Sequence, residues 1–226
     1  MTTKEAITSD YIFDEVSDEA AAEFELDPVL VKFLMNEPFF STIVRSLGKY
    51  RTTAIPTAGV SVKDTSINFY WNPKFVAGLK GKQIFGLLKH ECYHLIFKHC
   101  TARKQEPHMM WNIATDLAIN SLIEESDLPE GGFVPGKKFD LTKIKDPEKL
   151  KKWQEFSNLI ESFPKGQASE WYMSKLLKDE NASELCKEMS EGGGIGIEFD
   201  DHGEWAEGLT EEERQLVEGK IQEVVG

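Results

Sequence analysis

From Asp27 onward, apolar residues recur at helical spacing. Val29, Leu30, Val31, Phe33 and Leu34 follow Pro28, and Phe39, Phe40, Ile43, Val44 and Leu47 follow Pro38. With Asp27 as cap and Pro28 as a favoured first helical residue, the pattern predicts one helix over about 28–36. Pro38 interrupts it, and a second helix runs over about 38–48, to Gly48. The period then shortens. Residues 51–55, 59–62 and 66–71 are rich in Thr, Val, Ile and aromatics, and Lys63, Asp64 and Thr65 turn the last two into an antiparallel pair. In the last strand Ile67, Phe69 and Trp71 share one face and Asn68 and Tyr70 the other. Asn72-Pro73 ends it, and residues 74–79 form a short helical piece. A long helix over about 82–100 follows, apolar on nearly every side through Ile84, Leu87, Leu88, Tyr93, Leu95, Ile96 and Phe97. A helix with no polar face is buried.

A polar break at 101–106 leads through Pro107 into another apolar helix, about 108–124. Residues 128–149 form a long loop with three Gly and three Pro, of a length that serves either as a binding loop or lid or as a tolerated surface insertion. Helices at about 147–162 and 168–178 come next, then a Gly-rich connector at 191–196. That connector lacks the Lys-Ser/Thr and the strand–helix setting of a phosphate loop. Thr210 and Glu213 form a capping box for a last helix, about 210–225. The expected class is α+β: mostly helical, with a small antiparallel or mixed sheet packed against the long helix.

Composition and charge refine this. The 226 residues suit one domain, expected over 27–226, behind an acidic tail at 1–26. The net charge of −13 is unevenly placed: residues 1–27 carry −8 and residues 179–226 carry −12, leaving +7 on the middle. So acidic a chain is a poor non-specific nucleic-acid binder. The acidic ends are expected to be solvated; the sharper alternative is that one folds over the basic middle or its cleft, so that deleting 1–26 raises activity. Nothing resembles a membrane span or a signal peptide. Three cysteines without C-x-x-C spacing indicate reduced thiols in an intracellular, cytoplasmic setting.

The long helix carries His90-Glu91-Cys92-Tyr93-His94, an H-E-x-x-H pattern. With five His and 27 Glu in the chain, chance places this pattern in about one such sequence in a hundred. Two histidines four residues apart lie about 40° apart on a helical face. Both imidazoles therefore reach one metal ion, and Glu91 stands where it takes a proton from the water that the metal activates. Gly86, one turn earlier, is expected to leave room beside the metal.

Catalytic zinc takes three protein ligands, and three residues compete for the third place. His99 is half a turn out of phase with His90 on an unbroken helix and points away. Asp116 lies with Asn112 and Asn120 at i, i+4 and i+8, one polar stripe on an apolar helix. A buried carboxylate is costly unless it meets a cation, so Asp116 is preferred, with the two Asn orienting ligands from outside. His202, flanked by Asp200, Asp201 and Glu204, is a further ligand candidate, a stabiliser of a developing oxyanion, or an ordinary surface residue of an acidic loop.

The runs NFYWNPKFV, LLKHECYHLIFKHC, WNIATDLAIN, LPEGG, SEWYMSKLL and DDHGEW together resemble the metallopeptidase domain of predicted metal-dependent peptidases. These are zincin-like proteins of bacteria and phages, often encoded with a MoxR-type ATPase and followed by a von Willebrand A-like domain. The resemblance implies a zincin-like fold, with His90, His94 and Asp116 as ligands of a zinc ion and Glu91 as catalytic base. It also draws His202 toward the site and implies a protein or peptide substrate and a possible MoxR-type ATPase partner. In such a fold the strand at 66–71 is expected to line the cleft and pair with an extended substrate. Trp71, Tyr70 or Phe69 would then shape pockets unless they are core. The rival expectation is a metal-stabilised interaction module without catalysis.

Overall fold

The computed structural model describes residues 16–63, 65–190 and 210–225. Its order is α1 (Asp18–Glu23), α2 (Asp27–Asn36), α3 (Pro38–Ser46), β1 (Gly48–Arg51), β2 (Ala58–Lys63), β3 (Ser66–Trp71), α4 (Pro73–Gly78), α5 (Gly81–Ile96) and α6 (His108–Asn120). A 3-10 turn at Glu125–Asp127 precedes α7 (Pro147–Glu161), α8 (Ser169–Leu176), α9 (Glu180–Ser190) and α10 (Glu211–Val225). The class is α+β, mostly helical with a small mixed sheet. Among the described residues no helix is long and apolar enough to cross a membrane.

Local chemistry sets most of these boundaries. Asn72 accepts the backbone N–H of Lys74 at the start of α4, and Asp146 accepts that of Lys149 at the start of α7. Thr210 and Glu213 exchange the two bonds of a capping box at 2.8 and 3.3 Å, as their spacing predicts. Asp27 is already the first residue of α2 rather than its cap, and Leu26 precedes it with no side-chain bond. The helix α9 was not expected. Its Ala182, Leu185, Cys186 and Met189 are buried at i, i+3, i+4 and i+7, one apolar stripe within an acidic segment.

The expected antiparallel pair of β2 and β3 is present, and β1 adds a parallel strand to it. The sheet order is β1-β3-β2, with β1 parallel to β3 and β2 antiparallel to it. The first strand begins at Gly48, where the second helix was expected to end, and stops at Arg51. β3 is therefore the central strand, with a neighbour on each side. Its backbone cannot pair with a substrate, and β2 forms the sheet edge toward α5.

Two helices form the floor of the site. In α5, nine residues from Ile84 to Leu95 are buried; in α6, every residue from Met110 to Asn120 is. α8 and α9 cover α6, and α10 lies against α3 and α5 with Val217 and Ile221 buried. Lys98 pairs with Glu218 of this acidic helix at 3.6 Å. Burial of Trp111, Trp153, Tyr172, Phe33 and Phe156 anchors the core, each such ring contributing on the order of 2–3 kcal/mol by removal from water. The long loop is not a free lid beyond its first residues. Phe133 and Phe139 pack within 5.2 Å of each other and onto Phe156.

Candidate metal centre

α5 presents His90 and His94 on one face, with ring centroids 4.7 Å apart. α6 crosses it and brings Asp116 to the same point. One ligand atom from each of His90, His94 and Asp116 lies within 4.8 Å of the other two. The two Nε2 atoms are 2.9 Å apart, and Asp116 Oδ1 is 3.5 Å from that of His90 and 3.4 Å from that of His94. All three residues are buried, His94 completely.

The donor set fits a small divalent cation. Three atoms so spaced lie on a circle of radius about 1.9 Å, just inside the ~2.0–2.2 Å that zinc keeps from nitrogen and oxygen. Asp116 Oδ1 is buried and makes no hydrogen bond, a costly state for a carboxylate that lacks a cation. His90 Nδ1 is 2.8 Å from Asn120 Oδ1, and Asn120 Nδ2 donates to Phe133 O at 2.8 Å. The amide is thereby oriented to accept, so His90 carries its proton on Nδ1 and offers Nε2 as a lone pair. Burial, then the neighbouring His90 and His99, push His94 well below the ordinary histidine range. It is neutral at physiological pH, as a ligand must be.

Of the polar stripe on α6, Asp116 and Asn120 meet the histidines. Asn112 lies a turn away, its amide nitrogen 3.5 Å from His108 Nε2. Glu91 is 1% exposed, and its Oε2 accepts the backbone N–H of Val60 on β2 at 2.9 Å. The edge strand thus grips the carboxylate beside the histidine pair. His202 lies outside the described residues, as does the Gly-rich connector.

His99 does not point away. α5 ends at Ile96, Lys98 takes a positive φ of 57°, and the His99 N–H bonds to His94 O at 2.9 Å. The ring folds back behind His94, its Nδ1 3.4 Å from His94 Nδ1 and its Nε2 3.0 Å from Ser169 Oγ. It stands outside the three-residue group but touches a member of it. Burial and the nearby Arg103 push its pKa down to about 3, so this ring too is neutral.

A narrow cleft of about 60 Å³ opens onto the group, lined by Thr57, Phe75, Leu87, His90, Asp116 and Asn120 with the lip formed by residues 128–130 and Gly132. The first residues of the long loop therefore border the site. Phe69 and Trp71 are core, and Tyr70 stacks on Tyr50 at 5.3 Å, so Phe75 and Leu87 supply the apolar wall instead. Gly86 does not make room for a metal. A Cβ there would stand 1.8 Å from Asp127 O, so glycine is needed to let the 3-10 turn touch the helix. The three cysteines are free and buried.

Residues 22–224 match the family described as "Putative metallopeptidase domain", and the chain belongs to that family. No curated protein and no solved structure gives a significant match. A domain of this family with a buried His/His/Asp group implies a metal-dependent hydrolase that holds a divalent ion.

Proposed function

We propose that the chain is a zinc-dependent peptidase in which His90, His94 and Asp116 hold the ion and Glu91 is the general base. The observation that carries this is the convergence of His90, His94 and Asp116, buried, on one point of ligand-like spacing. Two neutral imidazoles and a carboxylate suit zinc over magnesium or calcium, which prefer oxygen. When bound, the ion supplies Lewis-acid chemistry, acidifying water and polarising the scissile carbonyl. Asp116 contributes the negative charge that offsets the ion. Glu91 takes the proton of the attacking water and returns it to the leaving nitrogen. The Val60 N–H holds that carboxylate in one orientation, which spares the reorientation cost at the moment of transfer. His202 is proposed as a donor to the developing oxyanion.

A second reading has one observation in its favour. The group is nearly sealed, with His94 at 0% exposure and Glu91 tied to the strand, as a purely structural metal site would be. The two separate on Glu91→Gln, whose amide oxygen still accepts from Val60. Under the peptidase reading the variant keeps one zinc per chain and loses cleavage of an unfolded protein substrate by 10²-fold or more, as expected for removal of a general base. Zinc-loaded wild-type chain that cleaves no member of a diverse peptide library would favour the structural reading.

A further inference from the structure

We propose that His99 and Ser169 are positioning residues for His94, a hydrogen-bonded relay that sets its tautomer and ring plane from behind. The inference rests on the reading of His90, His94 and Asp116 as the metal group. His94 turns Nε2 toward His90 and Asp116, so metal binding requires its proton to sit on Nδ1. The atom facing Nδ1 is a ring nitrogen of His99, 3.4 Å away, and the far nitrogen of His99 is 3.0 Å from the Ser169 hydroxyl. One direction of bonding serves a metal. His94 Nδ1–H donates to His99 Nδ1, and His99 Nε2–H donates to Ser169 Oγ. The opposite direction would place a proton on His94 Nε2, where the ion must bind.

The surroundings hold this relay in place. Ser169 is the first residue of α8, and its neighbour Glu170 takes Arg103 through both Nε, at 2.9 Å, and Nη2, at 2.6 Å. Arg103 in turn donates to Phe97 O at 3.2 Å and, through its backbone, to Lys98 O at 3.0 Å. Adjacent residues of one helix therefore fix the His99 ring and the far end of the turn that carries it. Trp111 meets the His99 ring edge-on, with centroids 5.7 Å apart. Lys98 accepts a left-handed backbone within that turn, a conformation that a residue with a Cβ rarely adopts. Its return is that His99 reaches His94, although the sequence spacing alone points it away.

Outer partners of a metal-binding histidine commonly contribute 10- to 100-fold in metal affinity. The test measures zinc affinity by chelator competition on the full chain, with visible spectra of the cobalt-loaded protein and the melting temperature of the metal-free form. His99→Phe fills the space without an acceptor and should weaken zinc binding about 10- to 100-fold and shift the cobalt spectrum. His99→Asn, whose amide oxygen can accept from His94 Nδ1, should recover part of that loss. Ser169→Ala, a small change that leaves the fold testable, should weaken binding about three- to tenfold. Wild-type affinity and an unaltered cobalt spectrum in His99→Phe and Ser169→Ala would overturn the relay. Equal losses in His99→Phe and His99→Asn, matched by equal drops in metal-free melting temperature, would also overturn it, leaving His99 a packing residue. A wild-type chain that binds no metal would instead sink the metal-centre reading beneath it.

Discussion

Val60 donates its backbone N–H to the Glu91 carboxylate at 2.9 Å, joining the free edge of the sheet to the helix that carries the two histidines. Since β2 pairs with β3 on its other side, this N–H is outside the ladder, and proline is tolerated on sheet edges. Val60→Pro should lower kcat about tenfold while zinc content stays at one per chain, because a charge-assisted bond that orients the base is lost. In a Glu91→Gln background the same change should add little, since residues acting as a unit are not additive. Equal effects in both backgrounds would show that the strand does not act through Glu91.

Metal removal gives a second test. At zinc a hundredfold above its dissociation constant, binding adds about 2.7 kcal/mol to stability. For a domain of this size that is a rise of roughly 5–10 °C in melting temperature. A strong chelator should abolish that rise in the wild type. Asp116→Ala should hold less than one zinc per chain and show no chelator-sensitive shift; a variant that kept both would displace Asp116 from the ligand set.

Gly86→Ala should destabilise strongly for a reason unrelated to helix propensity, where alanine is favoured. Its Cβ would overlap a backbone carbonyl, with Asp127 O at 1.8 Å. Overpacking of this kind costs about 1–3 kcal/mol, and urea denaturation would read it. An unchanged or raised midpoint would mean that the 3-10 turn shifts without penalty.

The thiols give a pH prediction. Burial raises the Cys186 pKa from 9.0 to about 12, and burial together with Glu91 raises Cys92 and Cys100 as well. The folded chain keeps these protons where the unfolded chain releases them. The stability that these buried thiols contribute is therefore fully present below pH 9 and is lost progressively as pH rises from 9 toward 12. At pH 8 a thiol reagent should label no cysteine in the folded protein and three after denaturation. Rapid labelling of the folded chain would contradict the burial.

Much of this was legible in the sequence where local chemistry decides the outcome. The H-E-x-x-H pair, the lone Asp116 on an apolar helix and the Thr210–Glu213 cap each depend on a few neighbours along one helix. Strand order was not legible. Residues 48–51 pair in parallel with 68–71, and that choice is made by packing between distant segments. The return of His99 was hidden for a sharper reason: its turn uses a lysine at positive φ, where the usual signal would be glycine or asparagine. Gly86 was visible but misread, because a glycine marks a close approach without saying what approaches. In α9 the apolar stripe was present, masked by the acidic residues around it.

The position of the lip has a kinetic consequence. With the ligand atoms already assembled by α5 and α6, an arriving ion needs no rearrangement of the chain to be captured. The narrow cleft between Phe75, Leu87 and the lip of residues 128–130 and Gly132 leads to the group, and Asp127, just before that lip, sets its carbonyl close against Gly86 of α5. Opening of this border then scales the rates of loading and escape alike, while the ligands set the ratio between them. Loosening the Gly86–Asp127 contact should speed exchange in both directions and leave equilibrium affinity nearly where it was.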